Sequence, residues 1–195
     1  MQVVVVLAHP NSDSFSHAIA HRACVGLRGA GHEVHVLDLC AQGFRAAMSL
    51  DDHVAYHGDH PAIDPMVADH GALVLRAYAL VFVYPTWWSS LPAILKGWLE
   101  RVMVPGVAFV FNDKGKVRPG LTNVRRIVGI STYGSPRSYV RLINDNGRRT
   151  LTRALRLNTG LRTRTSWLGL YAIDSATAAQ RSKFLDRVEH RMRSL

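Results

Sequence analysis

The sequence predicts an α/β fold in which five parallel strands form one doubly wound sheet with helices on both faces, a three-layer sandwich. Three observations support this prediction. Short apolar runs of strand length recur along the 195 residues. Segments with apolar residues at helical spacing lie between these runs. No internal repeat, low-complexity tract or linker interrupts the alternation, so we expect a single domain over residues 1–195.

The first βαβ unit begins almost at once. Residues 3–7, Val-Val-Val-Val-Leu, are apolar on both faces, which is typical of a central strand covered by two helix layers. Residues 15–27 carry apolar side chains at helical spacing until a Gly-Ala-Gly run ends the helix. Residues 33–39 predict a second strand, at a distance that suits a right-handed crossover.

The later elements continue this alternation. Residues 40–65 have weak periodicity and scattered glycine and proline, which predicts an irregular excursion with short helices. Beyond the excursion, the pattern predicts helices over residues 66–75, 92–103, 139–157 and 177–192. It predicts strands over residues 80–84, 127–131 and 163–168.

The composition limits the classes of protein and partner. No apolar run approaches the roughly 20 residues of a membrane span, and no secretory pattern follows Met1, so we expect no transmembrane segment and a cytoplasmic location. Cys24 and Cys40 form neither a disulfide framework nor a metal-ligand spacing, which fits a reducing compartment.

The net charge of +10 is concentrated in arginines after Arg118. Such a basic half suits nucleic acid, an anionic membrane surface, a phosphorylated cofactor, or simply a solvated face. Because the chain has no helix-turn-helix signature and no recognised RNA motif, we expect no nucleic-acid partner. Arg137 or Arg141 could instead attract a cofactor phosphate.

Three histidines in the excursion, His53, His57 and His60, raise the question of a metal site. His53 and His57 have the i, i+4 spacing that places two side chains on one helix face, but no H-E-x-x-H motif accompanies them. We expect His57, Asp59 and His60 in a solvated loop, and no metal ion.

Chemistry is expected in the loops after the first, third and fourth strands, because ligands of open parallel sheets bind beyond the carboxyl ends of the strands. The first loop, residues 9–16, is polar and precedes a helix N-terminus, where free amides and the helix dipole favour a phosphate. It lacks the G-x-G-x-x-G and P-loop motifs. The alternative is that Ser14 or Ser16 merely caps the helix.

The loop after the third strand, residues 84–92, contains three aromatic residues and two prolines. Trp87 and Trp88 cannot both face one core from an extended segment, so we expect at least one to line a concave site or an interface. A flat aromatic ligand suits such a site. The alternative is that both tryptophans fill a satellite core beneath the excursion.

The loop after the fourth strand, residues 131–139, is rich in hydroxyl groups and turn-forming residues. It offers hydrogen-bond donors to carbonyl groups or ring nitrogens. The alternative is a helix-capping turn with Ser135 or Ser138 as the cap. Three such loops at one sheet edge together favour one bound cofactor.

Two motifs resemble those of a known family, the flavodoxin-like NAD(P)H:quinone oxidoreductases, which include the DT-diaphorase type and the bacterial modulator-of-drug-activity and potassium-efflux ancillary reductases. The first is Leu7-Ala8-His9 followed by Ser14-Phe15. The second, highly specific motif is Pro92-Ala93-Ile94-Leu95-Lys96-Gly97-Trp98 with Glu100-Arg101-Val102. The resemblance spans nearly the whole chain.

The resemblance implies a flavin site. It assigns the phosphate and ribityl end of the flavin to His9, Ser14, Phe15 and Ser16. It assigns one wall of the isoalloxazine site to Pro85, Thr86, Trp87 and Trp88. It assigns the second wall to Ser131, Thr132, Tyr133, Gly134 and Ser135.

The resemblance also implies an activity, a ping-pong reduction of quinones or similar electrophiles by NAD(P)H in a cytoplasmic homodimer. Tyr139 falls where the family has its active-site tyrosine. The mammalian-type enzymes have a histidine six residues later, whereas this chain has Asp145, so the resemblance does not extend to that proton relay. The Ser-Phe pair favours FAD, with FMN as the alternative. A second reading is a flavin-binding ancillary subunit of an ion-efflux system with little turnover of its own.

Overall fold

The computed structural model describes residues 1–58 and 60–195; Asp59, expected in a solvated loop, lies outside the described residues. The strands of the fold are β1 Gln2–Leu7, β2 Glu33–Asp38, β3 Ala79–Pro85, β4 Phe109–Phe111, β5 Val117–Pro119, β6 Arg126–Thr132 and β7 Arg164–Leu170. The α-helices are α1 Phe15–Gly29, α2 Leu50–Ala55, α3 Pro65–Arg76, α4 Ala93–Val102, α5 Arg137–Leu142, α6 Asn146–Arg149, α7 Leu155–Leu157 and α8 Ala178–Arg193.

Five of the strands form one parallel sheet in the order β2-β1-β3-β6-β7. The chain builds the sheet outward from β1 in one direction to β2 and then in the other from β3 onward, so the order reverses between β1 and β3. Doubly wound sheets with this order bind ligands at the reversal point. The predicted five-stranded α/β fold is confirmed.

Alternate residues of the central strands feed two separate cores. Val4 and Val6 of β1 belong to one cluster, which also contains Trp98 of α4. Val3 and Val5 belong to the other cluster, which contains Phe184 of α8. Since successive side chains of a strand point to opposite faces, the four-valine run supplies both cores at once. The three layers are therefore helices, sheet and helices, as the sequence predicts.

The predicted helix over residues 139–157 is wrong as a single element. The structure has α5, then a break, then a second helical stretch of α6, a π-helical turn Thr150–Ala154 and α7. Asn144 and Asp145 have φ values of 73° and 46°. This left-handed conformation ends a right-handed helix, and asparagine and aspartate tolerate it better than most residues.

A small antiparallel hairpin, β4 with β5, is absent from the sequence prediction. Its strands have three residues each, too short for an alternating pattern to be recognised. Its turn carries Asn112, whose side chain accepts hydrogen bonds from the amides of Lys114 and Lys116, and Gly115 at φ 68°. The Asn-Asp-Lys-Gly run is the one local signal of the hairpin.

Helix α4, from the second family motif, fastens the excursion to the sheet. The indole of the fully buried Trp98 donates to Nδ1 of His70 at 3.1 Å. The buried guanidinium of Arg101 donates to the carbonyl of Arg45 and to the carboxylates of Asp52 and Asp64. No helix within residues 1–58 and 60–195 is long and apolar enough to cross a membrane.

Candidate functional site

The carboxyl ends of β3 and β6 lie side by side and bring two of the predicted loops together. Pro85 pairs with Thr132 in the sheet register. The amide of Thr86 donates to the carbonyl of Thr132 at 2.8 Å, and the hydroxyls of Thr86 and Ser131 are 2.8 Å apart. These bonds fix the loop after β3 to the loop after β6. Both Ser131 and Thr132 are buried, so neither presents much surface at this sheet edge.

The loop after β1 is held in shape by its own side chains. The amide of Asn11 donates to Nδ1 of His9, and the amide of Asp13 donates to Oδ1 of Asn11. The amide of Ser14 donates to the carbonyl of Asn11. Three consecutive local bonds therefore set the approach of the chain to α1.

Ser14 caps α1 and is also tied to a histidine. Its hydroxyl oxygen accepts from the amide of His17 and lies 3.0 Å from Nδ1 of the same residue. Nε2 of His17 lies 3.0 Å from a carboxylate oxygen of Asp38 at the end of β2. Because a carboxylate only accepts, Nε2 of His17 carries a hydrogen, and in the neutral ring Nδ1 accepts from Ser14. The capping alternative for Ser14 is thus realised in the structure.

The start of α1 keeps free donors despite this cap. Within the described chain, no hydrogen bond from the amides of Phe15 and Ser16 is recorded. The Phe15 ring packs at 6.3 Å from Phe184, with the guanidinium of Arg181 6.0 Å from its centre. Two free amides at the positive end of a 15-residue helix are suited to an anion such as a phosphate.

His9 belongs to the same loop, and its ring lies 6.3 Å from that of His17 in the first turn of α1. Burial lowers the pKa of His9 below the ordinary value of 6.5, and nearby His17 lowers it further. Since Nδ1 accepts the amide hydrogen of Asn11, the neutral ring carries its hydrogen on Nε2. The free donor of His9 is therefore Nε2.

Beyond β3 the chain makes a tight turn that presents two indoles. Trp87 and Ser90 exchange backbone hydrogen bonds, and Trp88 and Ser89 between them have φ values of 48° and 59°. Trp88 is 100% exposed, whereas Trp87 is half exposed and its ring lies 5.8 Å from that of His9. The alternative in which both indoles fill a satellite core is therefore wrong, and the Trp87 ring connects the loop after β3 with His9 of the loop after β1.

A cavity, here called the inner cavity, lies between the loops after β3 and β6. Its lining comprises Thr86 and Ser89 from the first of these loops, Tyr133, Gly134 and Ser135 from the second, and Val140, Ile143 and Asp145 from α5 and the break that follows it. Tyr139 lies half exposed on α5, outside this lining. The cavity is polar on the loop side and apolar on the helix side.

Tyr133 and Asp145 form a buried polar network at one wall of the inner cavity. The Tyr133 hydroxyl donates to the Asp145 carboxylate, with 3.1 and 3.2 Å to its two oxygens, and accepts from the Trp167 indole at 3.1 Å. The Tyr133 side chain is buried, so it faces this network and its ring stacks on Tyr171. Burial raises the pKa of Asp145, although the bond from Tyr133 and nearby arginines oppose the shift.

Sequence reasoning missed parts of the site. The pairing of His17 with Asp38 and the network of Tyr133 with Trp167 join residues far apart in the chain, which no local pattern reveals. The break at Asn144 and Asp145 did have a signal, since Asn-Asp-Asn-Gly is a run of turn formers. The described residues contain no group of three His, Cys, Asp or Glu side chains that could hold a metal ion.

The chain was compared with known proteins. A family model described as flavodoxin-like fold matches residues 1–192. NAD(P)H dehydrogenase (quinone) 1 of Rattus norvegicus is 31% identical over 156 residues, which cover 71% of this chain and 56% of that protein. The chain thus spans little more than half the length of this relative.

Two solved structures resemble the whole chain. The NAD(P)H:quinone oxidoreductase from Methanothermobacter marburgensis has a TM-score of 0.80 at 26% identity and covers 100% of this chain and 96% of its own. Smu.1420 from Streptococcus mutans UA159 has a TM-score of 0.84 at 25% identity and covers 100% of both chains. The similarity to these proteins extends over every element of the sheet.

Proposed function

Because this chain belongs to the family of the flavodoxin-like fold, we propose that it is a flavin-dependent NAD(P)H oxidoreductase that reduces quinones or similar electrophilic aromatics. The observation that carries the proposal is the meeting of three loops at the carboxyl ends of β1, β3 and β6, where the strand order reverses. Relatives with quinone reductase activity in their names support the reaction class.

The residues at this edge fit a flavin. The free amides of Phe15 and Ser16, with Nε2 of His9, offer donors for the phosphate. Ser14 shapes that site as the helix cap. The ring is proposed to lie against residues 85–88 on one side and residues 131–135 on the other, where Thr86, Gly134 and Ser135 line the inner cavity.

The flavin and the protein have different roles in the proposed reaction. When bound, the flavin accepts a hydride from NAD(P)H and passes two electrons to the acceptor. The protein orients both substrates, and we assign Tyr139, half exposed on α5, as the side chain that contacts them in the ping-pong cycle. Asp145 holds a proton more firmly than an ordinary aspartate and is hydrogen-bonded to Tyr133 at the wall of the inner cavity.

We propose a homodimer and a cytoplasmic location as well. Several large apolar side chains project into solvent, among them Trp88, Leu50, Val54 and Leu142. Exposed apolar side chains that form one contiguous patch are typical of a surface that contacts another chain. The location is supported by the two free thiols, Cys24 and Cys40.

The identity of the flavin is proposed as FAD, with FMN as the alternative. The decisive experiment is to purify the protein, record its absorption spectrum and identify the released cofactor. The same preparation, reconstituted with each flavin, is then assayed for NADH and NADPH oxidation with menadione. Colourless protein that takes up neither flavin and oxidises neither donor would refute the proposal.

The second candidate is a flavin-binding ancillary subunit of an ion-efflux system with little turnover. This candidate has the same flavin site as the enzyme, and the rate of NAD(P)H oxidation distinguishes the two. Protein that binds flavin stoichiometrically but oxidises NADH and NADPH no faster than free flavin with menadione would favour this candidate over the enzyme.

A further inference from the structure

A second concave site lies beside the inner cavity and is lined by arginines. We call it the arginine cleft; it has a volume of about 280 Å³ and contains Arg137, Arg141, Arg148, Arg149 and Arg153, with Asp145 at its wall. Five guanidinium groups therefore face one carboxylate. Small-molecule sites typically measure about 300 to 1,000 Å³, so the arginine cleft suits part of a nucleotide.

Hydrogen bonds and ion pairs within the described residues do not explain the convergence of the five arginines, although the Arg148 guanidinium lies over the Trp167 ring, 5.8 Å from its centre. Among the described residues, no hydrogen bond from any of the five guanidinium groups is recorded, and none is paired with a carboxylate. By contrast, Arg22, Arg101 and Arg193 all form ion pairs in the same structure. Unpaired guanidinium groups retain all five donors for a ligand.

The arrangement also carries a cost. Arg137 and Arg141 are four residues apart around α5, and Arg149 and Arg153 are four apart across the turn after α6. Like charges at this spacing repel each other and destabilise a helix slightly. The left-handed break at Asn144 and Asp145 then turns both helical stretches toward one space. An anion in that space would relieve the repulsion.

The arginine cleft adjoins the proposed flavin site. Val140 and Asp145 line both the arginine cleft and the inner cavity. A ligand with a phosphate in the arginine cleft could therefore extend toward the sheet edge. Guanidinium groups bind phosphate through two parallel hydrogen bonds, which gives geometric selectivity as well as charge.

We propose that the arginine cleft binds a phosphate group of an adenine dinucleotide. The proposal rests on the proposed function, which requires NAD(P)H and a flavin. Two sources share this chemistry: the 2′-phosphate or pyrophosphate of the nicotinamide donor, and the pyrophosphate of FAD. A solvated arginine face would bind neither with selectivity.

The test uses two double variants and a matched control. Arg137→Gln with Arg141→Gln changes the α5 side of the arginine cleft, and Arg149→Gln with Arg153→Gln changes the opposite side. Arg118→Gln, on the exposed hairpin strand β5, removes an arginine that does not line the arginine cleft. Since the cleft side chains are exposed and unpaired, circular dichroism should show all variants folded.

Binding is measured by calorimetry with ADP and with 2′,5′-ADP on the flavin-loaded protein, and flavin affinity is measured separately with FAD and FMN. If the donor occupies the arginine cleft, both double variants lose about tenfold or more in 2′,5′-ADP affinity, and their KM for NADPH rises by about tenfold or more. Their affinity for FMN changes little. If FAD occupies it, both lose affinity for FAD but not FMN. Arg118→Gln matches the wild type in either case.

Equal affinities of the wild type and both double variants for all four ligands would overturn the inference. So would tight binding to duplex DNA that the double variants abolish while nucleotide binding is absent. These results are separable from failure of the proposed function, because calorimetry requires no turnover. If the protein reduces menadione with NADH but its ligand binding does not depend on the cleft arginines, the proposed function is supported and the phosphate site in the arginine cleft is refuted.

Discussion

The phenol of Tyr133 and the carboxylate of Asp145 form a hydrogen bond in which both carboxylate oxygens lie within 3.2 Å of the hydroxyl. Asp145 is half-buried and adopts a left-handed backbone conformation, with φ of 46°. The bond therefore anchors the break between α5 and α6 to the loop after β6. It holds together the two segments that form the wall of the inner cavity.

Replacement of Asp145 by asparagine should change how stability depends on pH. Burial raises the pKa of Asp145 above its ordinary value of 3.8, so the folded protein binds this proton more tightly than the unfolded chain. The stability that the protonated Asp145 contributes is therefore present below the pKa of the unfolded chain, and it is lost as the pH rises through the pKa of Asp145 in the folded protein. Asparagine keeps an acceptor for Tyr133 and tolerates φ above zero.

We therefore expect Asp145→Asn to be more stable than the wild type at pH 7 and to lose that advantage near pH 3. Urea unfolding of both proteins at intervals between these values measures the difference. A stability difference that does not vary with pH would show that the Asp145 carboxyl has an ordinary pKa.

Loss of Arg101 should unfold the excursion. Its buried guanidinium is shared by Asp52 and Asp64, and Arg101→Met leaves Asp52 without a cation and Asp64 with only the exposed Arg45, which costs about 3 kcal/mol or more. Burial opposes the shift, but hydrogen bonds from Ser49 and Arg101 lower the pKa of Asp52 below its ordinary value of 3.8. The stability that the ionised Asp52 contributes is therefore fully present above pH 3.8, and it is lost as the pH falls through the pKa of Asp52 in the folded protein.

Urea unfolding at pH 7 measures the loss for Arg101→Met, and the effect should shrink in acid. The control is Lys96→Met, which removes the exposed ion pair between Lys96 and Glu100 on the same helix. We expect that change to cost under about 1 kcal/mol. Similar losses in the two variants would contradict a special role for the buried pair.

Gly97 is required by the close approach of the excursion to α4. A β-carbon at this position would overlap the carbonyl oxygen and the α-carbon of Ala46, which are backbone atoms that cannot rotate away. We expect Gly97→Ala to lower the free energy of unfolding by about 2 kcal/mol or more, as overpacking of a core does.

The control for this substitution is Gly29→Ala, also in a helix, where a β-carbon meets only the Arg193 side chain at 4.0 Å. That change should leave stability unaltered or raise it by up to about 1 kcal/mol, because alanine is the better helix former. Thermal unfolding compares the two. A tolerated Gly97→Ala would mean that the excursion moves freely on α4.

Replacement of Trp88 should stabilise the fold and, where the indole contacts a ligand or a second subunit, weaken that contact. A tryptophan in the left-handed region, fully exposed, bears a strain of about 1 to 2 kcal/mol without packing to offset it. Trp88→Asn should therefore raise the unfolding midpoint in urea. If the indole contacts the flavin or a second subunit, the same variant should lose flavin affinity or dissociate, which fluorescence titration and ultracentrifugation measure.

The control is Trp87→Asn. Trp87 precedes Trp88 and Ser89 and does not have a positive φ, so its replacement relieves no such strain. If Trp88→Asn is stabilised but keeps the flavin affinity and the oligomeric mass of the wild type, Trp88 contacts neither the flavin nor a second subunit.

The fold was predictable because β-branched strands and helical spacing are local signals. The valine run of β1 identified a central strand, and the alternation of strands with helices identified the parallel sheet. The helix around Tyr139 was extended too far because periodicity continued through Asn144 and Asp145, whose left-handed conformation overrides it. The single domain over residues 1–195 and the site assignments stay predictions.

The contact of Tyr133 and Trp167 was beyond prediction for a different reason. It requires the β6–β7 pairing, in which Gly129 leaves room for the indole of Trp167. Such tertiary complementarity appears in the sequence only as an isolated glycine in an apolar strand. The loops could therefore be located from the sequence, but not the side chains that face each other within them.

The shared wall of the two cavities makes their occupancies interdependent. Arg148 and Arg149 lower the pKa of Asp145 by their charge, in opposition to burial. An anion that neutralises these arginines removes that influence, so its arrival draws a proton onto Asp145. Ligand uptake on one side and proton uptake on the other are then thermodynamically linked, and by reciprocity acid must tighten the binding of the anion.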